Sequence, residues 1–145
     1  MTTPPLEPFT FFIDRCLGGK SLAQALRNLN IAVEVHDDHF AKNALDVDWL
    51  PAVGARGWIV LTKDGRIGKR TLERMAVANA NVKMFVLASQ NLSGADTVAA
   101  FTKAVATMQR FTRDNPAPFI AKVYRDGRVS GWKSADELRE EFFGL

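Results

Sequence analysis

The sequence predicts an α/β fold in which a mainly parallel β-sheet is covered by helices on both faces. Short apolar runs of strand length alternate with segments in which apolar residues recur at helical spacing. Parallel strands need a crossover that carries the chain back across the sheet, and an amphipathic helix usually forms it. The chain has 145 residues, 47% of them hydrophobic, which suits one hydrophobic core in a single domain.

The first part of the chain contains three strand-and-helix pairs. Apolar runs rich in aromatic and β-branched residues predict the strands, and helical spacing of apolar residues predicts the helices. The predicted strands are residues 9–13, 31–35 and 58–62, and the predicted helices are residues 20–30, 46–56 and 71–80. Ser21 is a candidate N-cap of the first helix, Asp46 or Asp48 begins the second, and Gly57 ends it.

The later part of the chain repeats the alternation once and then departs from it. The predicted elements are a strand at 82–87, a long helix at 94–112, a β-hairpin at 119–132 and a short helix at 134–143. Pro116 and Pro118 interrupt the alternation after the long helix. Asp126 and Gly127 predict a type I′ turn at the tip of the hairpin.

We expect a single domain over residues 1–145, with a core at about 9–114 and an extension at about 115–145. The extension could form an added edge of the fold, a dimerisation arm that makes a homodimer, or a partner-binding element. The sequence alone leaves these three alternatives open.

Composition limits the classes of protein to which the chain can belong. No uninterrupted apolar stretch approaches the roughly 18 residues needed to cross a bilayer, and residues 1–8 lack the basic-then-apolar order of a secretory signal. We therefore expect a soluble, cytoplasmic protein with no membrane partner. The single cysteine excludes an internal disulfide and a cysteine-rich zinc site, and two histidines offer little nitrogen ligation. Any bound metal must depend on oxygen ligands.

One aspartate lies between each of the first three predicted strands and the next helix, or at the start of that helix. Asp14 directly follows the first strand, Asp46 begins the helix after the second, and Asp64 lies two residues beyond the third. In open parallel sheets, functional groups collect beyond the carboxyl ends of the strands. Three carboxylates at one point repel one another unless a divalent cation neutralises them, and oxygen ligands favour Mg²⁺ or Mn²⁺. The pattern predicts a metal-dependent catalytic site formed by these aspartates.

Each aspartate also has a purely structural interpretation. Asp46 could be only a helix N-cap, and Asp64 could serve only the turn before Gly65. Asp14 is harder to explain in this way, because a charge at the end of an apolar strand is costly unless it is paired or ligating. Asp38 and Asp48 are candidates for a supporting role near the site.

Basic residues near the aspartates predict contacts with the phosphates of a polynucleotide. They are Lys20, Lys63, Arg66, Lys69 and Arg70. The alternative is an ordinary solvated surface. The segment Gly18-Gly19-Lys20-Ser21 also resembles the end of a nucleotide-binding P-loop. However, Asp14 stands where that motif has its first glycine, and its charge would repel a nucleotide phosphate.

Four segments together resemble the PIN-like domain of bacterial VapC-type toxins: FFIDRCLGGK, HDDHF, DVDWL and VLTKDGRI. The resemblance covers about residues 9–119. It implies a three-layer α/β/α fold, RNA cleavage that depends on Mg²⁺ or Mn²⁺, and, for a toxin of a type II toxin–antitoxin system, a cognate antitoxin. Asp14 matches the first-strand aspartate of the family, Asp46 the acid at the start of a helix, and Asp64 the aspartate of a T-x-D motif.

The sequence departs from this family pattern in two respects. Arg15 stands where some relatives have an acid, and Cys16 is the second residue after the aspartate of the first strand. Many PIN domains carry a fourth acid in a later loop, and here Asn91 and Asp96 are the nearby candidates. A site with three acids could hold one ion where a fuller site holds two, so the number of ions stays open.

Two further classes of function remain open. A receiver-like signalling module also places acids and a lysine at strand ends, with Asp64 as phosphoacceptor, although Lys83 lies too early in its strand to act as the partner. A non-catalytic module would bind nucleic acid or protein through the predicted hairpin. Phosphorylation by a small phosphodonor would identify the first class. Salt-sensitive RNA binding with no metal requirement would identify the second.

Overall fold

One β-sheet of six strands organises the protein, whose computed structural model describes residues 9–18, 20–89 and 91–144. The strands are β1 (Thr10–Ile13), β2 (Ala32–Val35), β3 (Ile59–Thr62), β4 (Lys83–Leu87), β5 (Phe119–Val123) and β6 (Val129–Lys133). The helices are α1 (Lys20–Asn28), α2 (Asp46–Ala55), α3 (Arg66–Lys69), α4 (Thr71–Asn79), α5 (Gly94–Asp114) and α6 (Ala135–Phe143). In the described residues, no helix is both long enough and apolar enough to span a membrane.

The order of the strands places the ends of β1 and β3 side by side. The sheet runs β2-β1-β3-β4-β5-β6, with every neighbouring pair parallel except β5 and β6. The chain steps from β1 outward to β2 and then returns across β1 to form β3. Such a reversal leaves a crevice beyond the carboxyl ends of the two strands concerned. Ile13 lies opposite Leu61, and the Asp14 N–H donates to the Leu61 carbonyl at 2.9 Å.

Two hydrophobic layers cover the two faces of the sheet. Phe11 belongs to the layer that α1 and α5 cover, whereas its neighbour Phe12 belongs to the layer under α2, α3, α4 and α6. Successive side chains of a strand point to opposite faces, which is why the run of aromatic residues in β1 supplies both layers. The structure therefore confirms the predicted three-layer α/β/α fold with a mainly parallel sheet.

The C-terminal segment continues the same sheet. β5 pairs in parallel with β4, and β6 pairs antiparallel with β5. α6 packs on α4, where Leu138 is fully buried and Arg74 donates to Glu141 at 2.7 Å. The extension thus forms an added edge of the sheet, and we propose that residues 9–114 and 115–145 make up one domain.

Two local predictions are wrong. The hairpin does not have a type I′ turn, because only Gly127 has a positive φ, of 89°, whereas that turn also requires one at Asp126. Gly127 instead donates its N–H to Tyr124 at 2.8 Å, and a left-handed glycine follows an ordinary turn. Ser21 is not an N-cap, since α1 already begins at Lys20. Residues 1–8 and Gly19, on which other predictions depend, lie outside the described residues.

Candidate active site

The three predicted aspartates lie at the carboxyl edge of the sheet. Asp14 follows β1 and is 7% exposed, and Asp64 follows β3 with its side chain 18% exposed. Asp46 is the first residue of α2, which packs over the sheet between β2 and β3. Three separate segments therefore bring carboxylates to one edge, as the rule for strand ends predicts.

A single hydroxyl connects Asp14 with the loop that carries Asp64. Thr62 is fully buried at the end of β3, and its Oγ1 donates to Asp14 Oδ2 at 2.8 Å. The same Oγ1 accepts the backbone N–H of Asp64 at 3.0 Å. Among the described residues, Asp14 Oδ1 has no hydrogen-bond partner, so this oxygen remains available to a ligand. Thr62 therefore positions both acid-bearing loops.

The thiol of Cys16 lies beside the same pair of residues. Its Sγ is 3.5 Å from Asp14 Oδ2 and 3.3 Å from Thr62 Oγ1, although other parts of Cys16 are exposed. Burial of the sulfur and the negative charge of Asp14 raise the pKa of Cys16 to about 11. The sulfur therefore stays a protonated thiol at neutral pH and is a poor nucleophile.

Arg66 holds both carboxylate oxygens of Asp64. Its Nε donates to Asp64 Oδ1 at 2.8 Å, its Nη2 donates to Oδ2 at 3.0 Å, and its backbone N–H also donates to Oδ1 at 3.0 Å. These bonds hold the pKa of Asp64 below its ordinary value. Asp64 thus serves a local turn, as its structural interpretation predicted, and is also fixed as a carboxylate at the sheet edge.

Asp46 begins α2 without capping it. Leu45 occupies the N-cap position, and Asp46 Oδ1 instead accepts the indole N–H of Trp49 at 3.1 Å. Partial burial and the negative charges of Asp14 and Asp64 raise the pKa of Asp46 to about 6. The three carboxylates therefore lie close enough to repel one another, which the N-cap interpretation does not explain.

Glu73 is a fourth acid that the sequence did not single out. Its charge also contributes to the raised pKa values of Asp46 and Arg66. The Glu73 side chain is 16% exposed and lies 3.6 Å from Arg70. Glu73 lies in the first turn of α4, and a helix that follows a parallel strand begins at the same edge as the strand end. This position after a strand was the signal from which the sequence could have identified Glu73. The predicted candidate Asp96 instead pairs with Arg125 at 3.3 Å.

The chemistry of these side chains fits a divalent cation, but their orientations do not converge on one point. Carboxylate oxygens suit Mg²⁺ and Mn²⁺, and a cation would offset the negative charges that, together with burial, raise the pKa of Asp46. Within residues 9–18, 20–89 and 91–144, no three His, Cys, Asp or Glu side chains are arranged to hold a metal ion. Asp64 is turned towards Arg66, and Asp46 Oδ1 towards Trp49, which accounts for this.

Asp38 and Asp48 lie away from the three carboxylates. Both are exposed, Asp38 in a 3-10 turn and Asp48 in the first turn of α2, and in the described part of the chain neither has a hydrogen bond to Asp14, Asp46 or Asp64. Their supporting role therefore stays a prediction.

The structure weakens the receiver-like interpretation. Lys83 is the first residue of β4 and lies opposite Ile59 at the beginning of β3. Because β3 and β4 are parallel, Lys83 lies at the amino edge of the sheet, whereas Asp64 lies beyond the carboxyl edge. The lysine that this interpretation needs is therefore at the wrong end of the sheet.

The predicted phosphate-binding residues are all exposed around the acidic edge. Arg66 and Arg70 each pair with an acid, Asp64 and Glu73 respectively. Lys20 and Lys63 line a common cleft beside the ends of β1 and β3. Their role in binding RNA stays a prediction.

Replacing Asp46 with asparagine is expected to stabilise the folded protein at pH 7 by about 1–2 kcal/mol. The rise in pKa from 3.8 to about 6 corresponds to roughly 3 kcal/mol, which solvent screening reduces at this half-buried position. The ionised carboxylate destabilises the fold, so the penalty is absent below about pH 4 and complete above about pH 6. Asparagine removes the charge and can still accept the Trp49 N–H.

Urea unfolding of wild type and Asp46→Asn at pH 4 and pH 7 measures this effect. The difference in unfolding free energy should be present at pH 7 and nearly vanish at pH 4. Asp48→Asn on the same exposed turn is the control and should change stability by less than about 0.5 kcal/mol. Equal stability of wild type and Asp46→Asn at both pH values would show that neither burial nor the neighbouring carboxylates penalise the ionised form of Asp46.

Comparison with known proteins adds two similarities. The sequence profile of a family described as PIN like domain matches residues 9–89. A Mycobacterium tuberculosis protein with the provisional name ribonuclease VapC45 is 26% identical over 117 residues, covering 78% of this chain and 84% of that protein. No solved structure shows significant similarity. The matched profile spans Asp14, Asp46, Asp64 and Glu73.

Proposed function

The chain belongs to the PIN-like domain family, and from this membership we propose that it is a metal-dependent ribonuclease. One structural observation carries the proposal. Asp14, Asp46 and Asp64 come from three segments of the family-matched region and meet at one edge of the sheet, close enough for their charges to interact. The provisional name of the mycobacterial relative agrees with this chemistry.

The proposed reaction is hydrolysis of RNA phosphodiester bonds within the strand, at the carboxyl edge of the sheet. Asp14, Asp46 and Asp64 would hold Mg²⁺ or Mn²⁺, which supplies an activated water and neutralises charge on the attacked phosphate. Thr62 fixes Asp14 through Oδ2 and leaves Oδ1 without a hydrogen-bond partner among the described residues. Without a cation, burial and the neighbouring carboxylates raise the pKa of Asp46 to about 6, and a bound cation would favour the ionised form that ligation needs.

Arg66 has two roles in this proposal. It keeps Asp64 ionised and fixed, and it occupies both oxygens that Asp64 would offer as a ligand. Arg66 must therefore release Asp64 before that carboxylate can serve the reaction. The released guanidinium has several donors in a planar fork and can bind a phosphate of the substrate strand.

A cleavage assay on mixed RNA tests the proposal. The purified protein should cleave single-stranded or structured RNA in Mg²⁺ or Mn²⁺, and excess EDTA should lower the rate by at least about 100-fold. Cleavage that persists unchanged in EDTA would contradict the proposal, as would no cleavage with either metal. Salt-sensitive RNA binding without cleavage would instead support the non-catalytic alternative.

We further propose that the protein is the toxin of a type II toxin–antitoxin system and acts in the cytoplasm. An antitoxin partner would neutralise it by placing a basic side chain among the acids, where the negative charge is already unfavourable. Growth arrest on expression of the chain, relieved by co-expression of a neighbouring small gene, would support this role. A homodimer is compatible with the fold, and light scattering of the purified protein would measure it.

A further inference from the structure

A cleft of about 330 Å³ lies beside the acidic edge, between the beginnings of α1 and α5. Lys20 and Ser21 of α1, Lys63 of the loop after β3, and Gly94 and Thr97 of α5 line it. Lys63 stands between Thr62 and Asp64, and its backbone N–H lies 3.5 Å from Cys16 Sγ. The cleft is therefore the immediate neighbour of the proposed catalytic site.

The cleft carries positive charge. Lys20 and Lys63 are exposed, and neither forms an ion pair with any other residue that the structure describes. Asp96, in the first turn of α5, pairs with Arg125 at 3.3 Å. Asp14 accepts from Thr62, and Asp64, which follows Lys63, is held by Arg66, so neither carboxylate is paired with a lysine. Two ammonium groups are therefore available to a negatively charged ligand.

The first turn of α5 adds backbone donors to the cleft. Ser93 caps this 21-residue helix by accepting the N–H of Asp96 through its side chain and that of Thr97 through its carbonyl. In the part of the chain that the structure describes, the N–H groups of Gly94 and Ala95 have no acceptor. A Cβ added at Gly94 would meet nothing within 4 Å, so the backbone there is open to a ligand. Free N–H groups at a helix start favour an anion.

Thr97 supplies an independent indication of a ligand. It is 8% exposed, yet its hydroxyl has no hydrogen-bond partner among residues 9–18, 20–89 and 91–144. Thr102 and Thr112 of α5 differ, because they donate to the carbonyls of Val98 and Met108. Thr107 also has no side-chain hydrogen bond among the described residues, but it is only partly buried. Every fully enclosed side-chain N or O atom in the described residues has a hydrogen-bond partner. Because the Thr97 oxygen has none, it is not fully enclosed and must be accessible from the cleft that Thr97 lines.

We propose that this cleft binds a phosphate group of the RNA strand next to the phosphate that is cleaved. The Lys20 and Lys63 ammonium groups, the Thr97 hydroxyl and the first turn of α5 would be its partners. This inference rests on the proposed ribonuclease function. It places the RNA next to the cleaved phosphate on the side of the acidic edge where α1 and α5 begin. The phosphate could belong to an internal linkage or to the end of the strand, and the two sources differ in charge and position.

Binding of a short fluorescent single-stranded RNA with a 5′-hydroxyl, measured by anisotropy in EDTA, tests the cleft separately from cleavage. Thr97→Val and Lys20→Ala should each weaken binding by roughly 5- to 10-fold, because each removes one contact to a charged phosphate. Thr97→Ser keeps the hydroxyl and should bind as wild type does. Lys103→Ala on the exposed face of α5 is the matched control and should change affinity less than about 2-fold.

Two modified strands identify the source of the phosphate. A strand with one uncharged methylphosphonate linkage should bind wild type more weakly when that linkage lies at the position that the cleft holds. The same modification should weaken binding to Thr97→Val much less. A 5′-phosphorylated strand should bind no more tightly than the 5′-hydroxyl strand if the cleft holds an internal phosphate. A preference for the 5′-phosphate that Thr97→Val removes would assign the cleft to the strand terminus.

The outcomes separate this proposal from the proposed function. Wild-type affinity in both Thr97→Val and Lys20→Ala, with metal-dependent cleavage intact, would overturn the cleft and leave the ribonuclease standing. Weakened binding in both variants would support the cleft even if the wild type cleaved nothing. In cleavage assays with metal, the two variants should raise KM by about the same factor and change kcat less than about 2-fold. Circular dichroism confirms that each variant is folded.

Discussion

Asp14→Asn and Asp64→Asn are each expected to lower metal-dependent RNA cleavage by roughly 100- to 1,000-fold without unfolding the protein. Asparagine keeps the shape of each side chain but removes the negative charge that a divalent cation needs. At position 14 the amide oxygen can still accept the Thr62 hydroxyl, so the hydrogen bond that joins the two loops survives. The loss should therefore come from the chemistry rather than from the fold.

Single-turnover cleavage with saturating Mn²⁺ measures this loss, and circular dichroism checks the fold of each variant. Asp114→Asn and Asp136→Asn are matched controls, because both residues are exposed acids, at the end of α5 and the beginning of α6, with no predicted role in the site. They should cleave within about 3-fold of wild type. Undiminished cleavage by both Asp14→Asn and Asp64→Asn would show that these carboxylates do not form the catalytic site.

Trp49→Ala is expected to lower the free energy of unfolding by about 3–5 kcal/mol. Trp49 is 1% exposed and packs among Phe12, His36 and Phe40, with ring centroids 5.2, 5.8 and 6.5 Å away. Alanine would leave a cavity between α2 and β1 that the surrounding rings cannot fill. Urea unfolding followed by circular dichroism measures the change.

Trp49→Phe separates packing from the hydrogen bond to Asp46. Phenylalanine retains much of the buried area but has no N–H to donate, so the loss should be nearer 1–2 kcal/mol. The pKa of Asp46 should rise further in this variant, because the Trp49 hydrogen bond lowers it. A loss below about 1 kcal/mol in Trp49→Ala would show that this aromatic cluster does not hold α2 in place.

Local sequence patterns predicted most of the strands and helices. The aromatic and β-branched runs that form β1 and β3 have the composition of buried strands, and this composition can be recognised from the local sequence alone. The positions of Asp14 and Asp64 followed from the strand ends, because parallel strands direct their carboxyl ends to one edge. The predicted start of α2 at Asp46 is confirmed, although Leu45 rather than Asp46 occupies the N-cap position.

The features that sequence missed depend on tertiary contacts or on very short elements. Glu73 approaches Asp46 because α4 begins at the edge reached by β3, and the position of Glu73 in the first turn of that helix was the one available signal. α3 has four residues, too few for a periodic pattern. Asp96 looked like a fourth acid because it follows β4, but Arg125, 29 residues later, pairs with it.

The bonds that align β1 with β3 have a consequence for how the protein acquires its activity. The N–H of Asp14 extends the ladder between these strands by one bond to Leu61, and Thr62 of the neighbouring strand binds the Asp14 side chain. The pairing of these two adjacent strands thus positions Asp14 and the loop that carries Asp64, whereas the position of Asp46 depends on the packing of α2. On refolding, recovery of Asp14 and Asp64 geometry and closure of the sheet should be one event rather than two.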